Sequence, residues 1–213
     1  MRIIPLARTP RTYSATAYLV LGTWNRLDDV NTLIDVGIDE FIAEEISRLN
    51  TGVGKRPVER IILTHNHFDH AGGAAALKER YKAELLAWAP GPGVDRLLQD
   101  GEELRLGDEW FEVIHMPGHS HDSICLYNRS EGVLFSGDSP LRIHSPNGTY
   151  LAEFVAVLDR LASLPVRAIY PGHDAPILSG AADLLRQSAA NARQGILVAS
   201  RSCGEKSEHA HVA

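Results

Sequence analysis

The stretch "LTHNHFDHAGG", residues 63–73, places three histidines and one aspartate within six positions. The apolar run that ends there predicts a strand, and side chains two positions apart on a strand point to the same face. His65 and His67 can therefore bind one metal ion. Asp69 and His70 follow where the pattern changes to that of a helix, and a second ion beside the first would explain them. Asp69 could also cap this helix, a role that does not exclude metal binding.

Two protein ligands are too few for a catalytic ion, because catalytic zinc usually takes three and keeps one position open. The missing ligands are therefore expected on loops that follow other strands, where active-site residues gather. Three candidates fit: His119 in "MPGHS", Asp138 in "FSGDS" and His173 in "YPGHD". Each comes after an apolar run and lies beside a glycine or proline that bends the backbone. The sequence thus predicts a metal site assembled from distant segments.

The rest of the chain alternates between strand and helix patterns. The predicted strands cover residues 15–22, 31–37, 58–65, 83–88, 109–116, 123–128, 132–138 and 166–174, and the predicted helices cover 38–50, 71–81, 148–164 and 181–199. This order indicates sheets covered by helices. No repeat or linker divides the sequence, so we expect a single domain over residues 1–213, with a short disordered tail from about residue 201.

Length and composition indicate an ordinary globular chain. Its 213 residues suffice for one large domain, with 44% hydrophobic and 23% charged residues. The net charge is −6, and without a basic stripe the chain is a poor candidate for binding nucleic acid. No apolar stretch approaches the ~20 residues of a membrane helix. The expected partner is a small-molecule substrate, and nothing in the sequence indicates an oligomeric state.

Two further features predict a cytoplasmic protein. Cys125 and Cys203 are the only cysteines, and their surroundings do not suggest a structural disulfide. The N-terminal segment "MRIIPLARTPR" lacks the apolar run of a signal peptide, because Pro5, Arg8 and Arg11 interrupt it.

The motifs "HNHFDH", "PGHS", "SGD" and "PGHD", in this order and after "TLIDVG", resemble those of the metallo-β-lactamase fold superfamily. The resemblance covers most of the chain, from the first predicted strand to the last histidine motif. It implies an α/β fold, a four-layer αββα sandwich with the metals at one edge of its two sheets. Asp35 in "TLIDVG" matches a residue that would orient a ligand imidazole.

The resemblance also implies which residues bind two divalent metal ions. The first site would take His65, His67 and His119, the second would take Asp69, His70 and His173, and Asp138 would bridge both ions. Imidazole and carboxylate ligands suit zinc best here, although iron or manganese also accept them. The implied reaction is hydrolysis of a small ester, thioester or lactone by a bridging hydroxide, with a metal-bound water or Asp69 as the proton shuttle.

The motifs of this sequence differ from those of known branches of the superfamily, and these differences reduce the number of possible functions. Asp138 stands where zinc β-lactamases proper carry cysteine or serine, which argues against antibiotic hydrolysis. The ligand set is similar to that of the glyoxalase II type. However, "SPLRIHSPNG" (139–148) replaces its "GCGR" motif, and its glutathione-binding helical domain is reduced to one helix. We therefore expect the substrate to be determined by residues 139–150 and the last helix.

The alternative function is an oxidoreductase. Persulfide dioxygenases resemble this chain at the first motif but use one iron, which here would be held by His65, His119 and Asp138. Among hydrolases, quorum-signal lactonases share the "HAGG"-like continuation and are a further alternative. The other histidines, His115, His121, His144, His209 and His211, are not in ligand positions, and Tyr150 and Tyr170 are expected in the core.

Overall fold

The computed structural model describes residues 1–9 and 13–199. The predicted tail from about residue 201, with Cys203, His209 and His211, lies outside the described residues. The strands are β1 (Arg2–Pro5), β2 (Tyr18–Leu21), β3 (Thr32–Ile34), β4 (Arg60–Ile62), β5 (Glu84–Ala87), β6 (Arg96–Leu97), β7 (Glu103–Leu106), β8 (Glu109–His115), β9 (Ile124–Asn128), β10 (Val133–Gly137), β11 (Thr149–Leu151), β12 (Ala168–Pro171) and β13 (Ile196–Val198). The helices are α1 (Ile42–Ser47), α2 (Phe68–Ala71), α3 (Ala74–Tyr81), α4 (Ala152–Ser163) and α5 (Ala181–Arg193).

Most strands belong to two packed sheets. The first sheet has the order β1-β2-β3-β4-β5-β6, and the second has the order β12-β10-β9-β8-β7. Strand β2 shows why they stack: Tyr18 and Val20 point into the cluster between the sheets, whereas Leu19 and Leu21 point toward the helices. All four side chains are buried, as alternation on a doubly covered strand requires.

The helices cover the outer face of each sheet. Ile46 of α1 and Leu77 of α3 pack in the cluster over the first sheet. Leu158 of α4 and Leu185 of α5 pack in the cluster over the second. The predicted α/β fold, a four-layer αββα sandwich, is confirmed. Within the described residues, no helix combines the length and apolar character needed to cross a membrane.

The strand directions bring the motif-bearing loops to one edge. Strands β3, β4 and β5 run parallel to one another in the first sheet, and β10 runs parallel to β12 in the second. The loops that follow β3, β4, β8, β10 and β12 carry the aspartates and histidines singled out in the sequence, with His119 in the loop after β8. The sheets meet there, because the backbone N–H of Ile124 donates to the carbonyl of Thr64 at 2.8 Å.

The helix predicted over residues 71–81 is observed as α3 over Ala74–Tyr81, and a separate short helix, α2, precedes it. Helix α2 begins at Phe68, and a break at Gly72 and Gly73 precedes α3. A Cβ on Gly73 would lie 2.4 Å from the carbonyl oxygen of Asp39. The glycines therefore allow the chain to pack against a preceding loop, a tertiary requirement that the helical pattern does not contain.

The last predicted helix is also shorter than expected. Helix α5 ends at Arg193, and residues within the predicted span 181–199 form β13, which pairs in parallel with β11. Strand β11 in turn occupies the start of the helix predicted over 148–164, so that α4 begins at Ala152. The two errors have one cause, a pairing between segments far apart in the sequence. Strands β1, β6 and β7 were not predicted.

Candidate metal centre

The structure brings all seven predicted ligand side chains to one edge of the sandwich. They form two groups, His65, His67 and His119 in the first and Asp69, His70, Asp138 and His173 in the second, and the donor atoms within each group lie within 4.8 Å of one another. This spacing is that of side chains able to share one ion per group.

The first group combines one buried and two exposed imidazoles. His65 is 1% exposed, and its ring centroid lies 4.5 Å from that of His67 and 4.8 Å from that of His119. The Nε2 atom of His119 lies 2.9 Å from Nδ1 of His67. Three ring nitrogens therefore converge on the solvent-facing side of the site.

In the second group, carboxylate oxygens face imidazole nitrogens. Oδ2 of Asp69 lies 3.0 Å from Nε2 of His173, and Oδ1 of Asp138 lies 3.2 Å from Nε2 of His70. His70 is fully buried, whereas the two carboxylates are partly exposed. The group thus has both charged and neutral donors, the mixture that divalent zinc, iron or manganese accept.

Asp138 lies between the two groups. Its Oδ2 atom is 3.4 Å from Nε2 of His173 in the second group and 3.6 Å from Nε2 of His119 in the first. This is the place that the family resemblance predicts for a bridging carboxylate. Asp138 therefore has the position of a carboxylate that could contact an ion in either group.

Unpaired buried atoms indicate that these residues fit a cation. Among the described residues, Nε2 of His65 is buried without a hydrogen-bond partner, and the buried Nε2 of His70 and Oδ1 of Asp138 have only each other, 3.2 Å apart. An unsatisfied buried polar group costs about 1–3 kcal/mol, more when it is charged. Metal ions at this position would satisfy the nitrogen and carboxylate lone pairs together, which hydrogen bonds within the protein do not.

Asp35 holds the buried side of the centre in place. Its residue has a φ of 52°, and its Oδ2 lies 2.8 Å from Nδ1 of His70. The same carboxylate accepts hydrogen bonds from the backbone N–H and the hydroxyl of Thr64, each at 2.8 Å. The Thr64 hydroxyl lies 3.2 Å from Nδ1 of His65. A proton on Nδ1 of His70 leaves Nε2 free as a ligand atom, which is the orienting role that the resemblance implies for Asp35.

The environment shifts the pKa values of several site residues, among them His65, His70 and Asp138. Burial lowers the pKa of His65 to about 4, and the neighbouring His70 adds to this. Burial would also lower the pKa of His70, but the carboxylates of Asp35 and Asp138 outweigh it and raise this pKa to about 10. Burial opposes ionisation of Asp138, yet contact with His70 and the nearby His173 keep its pKa below the usual value. In the metal-free protein at neutral pH, His65 is therefore neutral and Asp138 ionised, as ligands must be, whereas His70 carries a second proton that metal binding would have to displace.

Two glycines allow the close packing of these side chains. A Cβ on Gly172 would lie 2.4 Å from Cε1 of His70 and 2.5 Å from Oδ1 of Asp138. A Cβ on Gly137, whose φ is +50°, would lie 2.5 Å from the hydroxyl oxygen of Thr64. The glycines beside the predicted ligands therefore leave room for the site as well as bending the chain.

Thr64 and Tyr13 are two neighbours of the site that the sequence did not single out. Thr64 precedes the first histidine, and the sequence pattern does not distinguish it from the other residues at the end of the predicted strand. The Tyr13 ring stacks on that of His173 with centroids 4.5 Å apart, although Tyr13 is 69% exposed. No sequence signal identifies Tyr13, since its contact depends on the fold.

The histidines predicted to lie outside the site do so where the structure describes them. The His115 ring stacks on Trp88, and its Nε2 lies 2.8 Å from the carbonyl oxygen of His121. His144 is exposed and lines a separate cavity. Tyr150 stacks near Phe154, and Tyr170 packs against the core between the sheets, as expected.

A model of the metallo-β-lactamase superfamily matches residues 11–87 and 87–173. A probable hydroxyacylglutathione hydrolase of Schizosaccharomyces pombe is 36% identical over 124 residues, which cover 55% of this chain and 48% of that protein. An acyl-coenzyme A thioesterase, MBLAC2, of Gallus gallus is 34% identical over 205 residues, covering 75% of this chain and 72% of that one. The chain thus spans about half the length of the Schizosaccharomyces pombe protein and 72% of the length of the Gallus gallus thioesterase.

Solved structures agree on the fold. The crystal structure of ETHE1 from Myxococcus xanthus superimposes with a TM-score of 0.67 at 23% identity, covering 88% of this chain and 83% of that one. At this identity the likeness concerns the fold alone. With the family model matching most of the sequence and with these curated relatives, the chain belongs to the metallo-β-lactamase superfamily, in its glyoxalase II-like branch.

Proposed function

We propose that the protein is a metal-dependent hydrolase that cleaves a small thioester, ester or lactone at a dinuclear zinc centre. The observation that carries this proposal is the convergence of seven donor side chains, Asp138 among them, with buried ligand atoms that lack any partner outside this set. These side chains fit cations better than they fit one another, because Nε2 of His119 faces Nδ1 of His67 at 2.9 Å and both nitrogens are potential ligand atoms.

Two ions fit the site better than one. A single ion in the first group would leave the Asp69, His70 and His173 donors without one, although they lie as close together as the first group. Two ions bound here would lower the pKa of a water shared between them to near neutrality and so supply the hydroxide for hydrolysis. Asp138 and Asp69 would offset part of the positive charge.

The chain's own residues have separate roles in this proposal. Asp35 keeps Nε2 of His70 directed at the site through its 2.8 Å contact with Nδ1. The side chain of Asp69 is 21% exposed and reaches solvent beside His173, so its Oδ2 can accept and pass on a proton during turnover. An adjoining cavity of about 260 Å³, which Asp138 lines, would hold part of the substrate.

The names of the relatives support acyl transfer to water. One is a probable hydroxyacylglutathione hydrolase and the other an acyl-coenzyme A thioesterase, so both act on acyl compounds. We extend this class of substrate to the present chain. The buried free thiol of Cys125 fits a reducing compartment, and we place the reaction in the cytoplasm.

Metal analysis combined with a substrate panel tests the proposal. The purified protein should contain about two zinc ions per chain and hydrolyse at least one member of a panel of lactones, acyl-coenzyme A and acyl-glutathione thioesters and phosphoesters. The variant His67→Ala should lose this activity, whereas His121→Ala, which changes an exposed histidine outside both groups and outside residues 139–150, should keep it. One iron per chain with sulfide-dependent oxygen uptake would instead establish the dioxygenase alternative. Full activity of His67→Ala would exclude the metal mechanism.

A further inference from the structure

The cavity beside the metal centre contains a charged group that the reaction itself does not need. Its lining includes three of the predicted ligands, His119, Asp138 and His173, and the apolar side chains of Leu141 and Ile177. Arg142 also lines this cavity. With a volume of about 260 Å³, it is smaller than the pockets that enclose drug-sized ligands. It therefore suits one small portion of a substrate.

The backbone on both sides of Arg142 is fixed by the last helix. The hydroxyl of Ser188 donates to the carbonyl oxygen of Leu141 at 2.7 Å and accepts from the N–H of Ile143 at 3.0 Å. The side chain of Asn191 donates to the carbonyl oxygen of Ile143 at 2.7 Å. Ser188 is 1% exposed and Asn191 is 8% exposed, so these bonds are shielded from water.

Within the part of the chain that the structure describes, the guanidinium of Arg142 has one weak ion-pair partner. Its Nη1 lies 3.4 Å from Oδ2 of Asp174, and the two side chains are 44% and 72% exposed. Exposed ion pairs of this kind add little stability. Arg142 can therefore exchange Asp174 for an anionic group of a substrate at small cost, while its backbone stays in place.

We propose that Arg142 is a specificity residue that binds an anionic group of the substrate in this cavity. The guanidinium suits either a carboxylate at the far end of a short acyl group or a phosphate on the leaving group. This inference rests on the proposed hydrolase function and deepens it. It also connects residues 139–150 with the last helix, the two segments expected to determine the substrate.

Matched pairs of substrates test the proposal. One pair shares a leaving group and differs in the acyl group, such as succinyl and butyryl thioesters. The other pair shares the acyl group and differs in the leaving group, coenzyme A or neutral N-acetylcysteamine. Wild-type protein should prefer the charged member of at least one pair in kcat/KM. Arg142→Met should reduce this preference about 10- to 100-fold, the range expected for hydrogen bonds to a charged group.

Arg48→Met is the control, because Arg48 follows α1 on the outer face of the first sheet and is exposed and paired with Glu44. It should leave the preference unchanged. Calorimetric titration with pentanedioate and pentanoate gives a readout that does not need turnover: the tighter binding of the dianion should disappear in Arg142→Met. If Arg142→Met lowers the kcat/KM preference for the charged substrate in the acyl pair, Arg142 recognises a carboxylate. If it lowers that preference in the leaving-group pair, Arg142 recognises a phosphate.

The two proposals fail in different ways. If wild-type protein hydrolyses esters but shows no charge preference in either pair, or if Arg142→Met keeps the preference, the role of Arg142 is wrong and the hydrolase function stands. If no thioester, ester or lactone is hydrolysed by zinc-loaded protein, the proposed function is wrong and this inference fails with it.

Discussion

Oδ2 of Asp35 lies 2.8 Å from Nδ1 of His70, on the side of the imidazole opposite the metal centre. Both side chains are buried, at 2% and 0% exposed. Asp35 directly follows β3 of the first sheet, and His70 lies in α2, so this contact connects the sheet to the helix that follows the histidine motif. It decides which nitrogen of His70 is available to a metal.

Replacing Asp35 by asparagine should weaken metal binding about 10- to 100-fold, the usual effect of removing a carboxylate behind a ligand histidine. Asparagine keeps the size of the side chain but lacks the charge that favours the proton on Nδ1. Zinc affinity should be measured by competition with a chromophoric chelator. Asp29→Asn is the control, since Asp29 is equally buried but precedes β3 at the opposite end of the sheet. Equal zinc affinity in Asp35→Asn and wild type would contradict the orienting role.

The raised pKa of His70 makes the metal-stripped protein sensitive to alkaline pH. The pKa is about 10 in the folded state against an ordinary value of 6.5, so the stabilisation is complete below about pH 6.5 and is lost as the pH rises through 10. Urea unfolding of chelator-treated protein should show the free energy of unfolding falling between pH 7 and 10, by at most about 1.4 kcal/mol per pH unit from this group.

The variant Asp35→Asn isolates the contribution of His70 to this loss of stability at alkaline pH. Because Asp35 is the main charge that raises the pKa of His70, the decline should be smaller in Asp35→Asn. The N-terminal amine, whose pKa is also raised by Asp108 and Glu131 against the effect of burial, titrates equally in both proteins and cancels in the difference. Parallel curves for the two proteins would contradict the predicted coupling.

Gly172→Ala should damage the metal centre directly. The added Cβ would lie 2.4 Å from Cε1 of His70 and 2.5 Å from Oδ1 of Asp138, so these two side chains must move apart. We expect reduced zinc content after purification and at least a tenfold loss of hydrolysis, given the sensitivity of catalysis to small displacements. In Gly91→Ala the nearest atom is the Asn66 side-chain amide at 3.4 Å, which makes it a mild control. Full zinc content in Gly172→Ala would show that the site tolerates the methyl group.

Cys125 should be chemically inert in the folded protein. It is 0% exposed, and burial raises the pKa of its thiol to about 12, whereas alkylation requires an accessible thiolate. In a Cys203→Ser background, iodoacetamide at pH 8 should label Cys125 only after denaturation in urea, as mass spectrometry would report. Rapid labelling under native conditions would contradict the buried position of β9.

Local pattern predicted much of the fold. The buried strands β2, β3, β4, β9 and β10 have apolar runs ended by glycine or polar residues, and their existence follows from the sequence. The pairing of β11 with β13 does not, because each has only three residues and depends on a partner far along the chain. The break at Gly72 and Gly73 likewise reflects contact with a loop rather than local propensity.

The sequence names candidate ligands more completely than it names strands, for a physical reason. Metal ligands are restricted to few residue types, so the motif "HNHFDH" by itself leaves few alternative roles for its histidines. The supporting contacts are less restricted. Thr64 is an ordinary strand residue by sequence, and Arg142 and Tyr13 lie near the centre only because the sheets and α5 bring their segments there.

A zinc titration of metal-stripped protein tests the central claim most directly, with hydrolysis of the best thioester, ester or lactone substrate recorded after each addition. The dinuclear account predicts that activity rises until two equivalents of zinc per chain are bound, since the two groups of donors serve two ions. Full activity after one equivalent, or activity that appears only with iron and consumes oxygen, would contradict it.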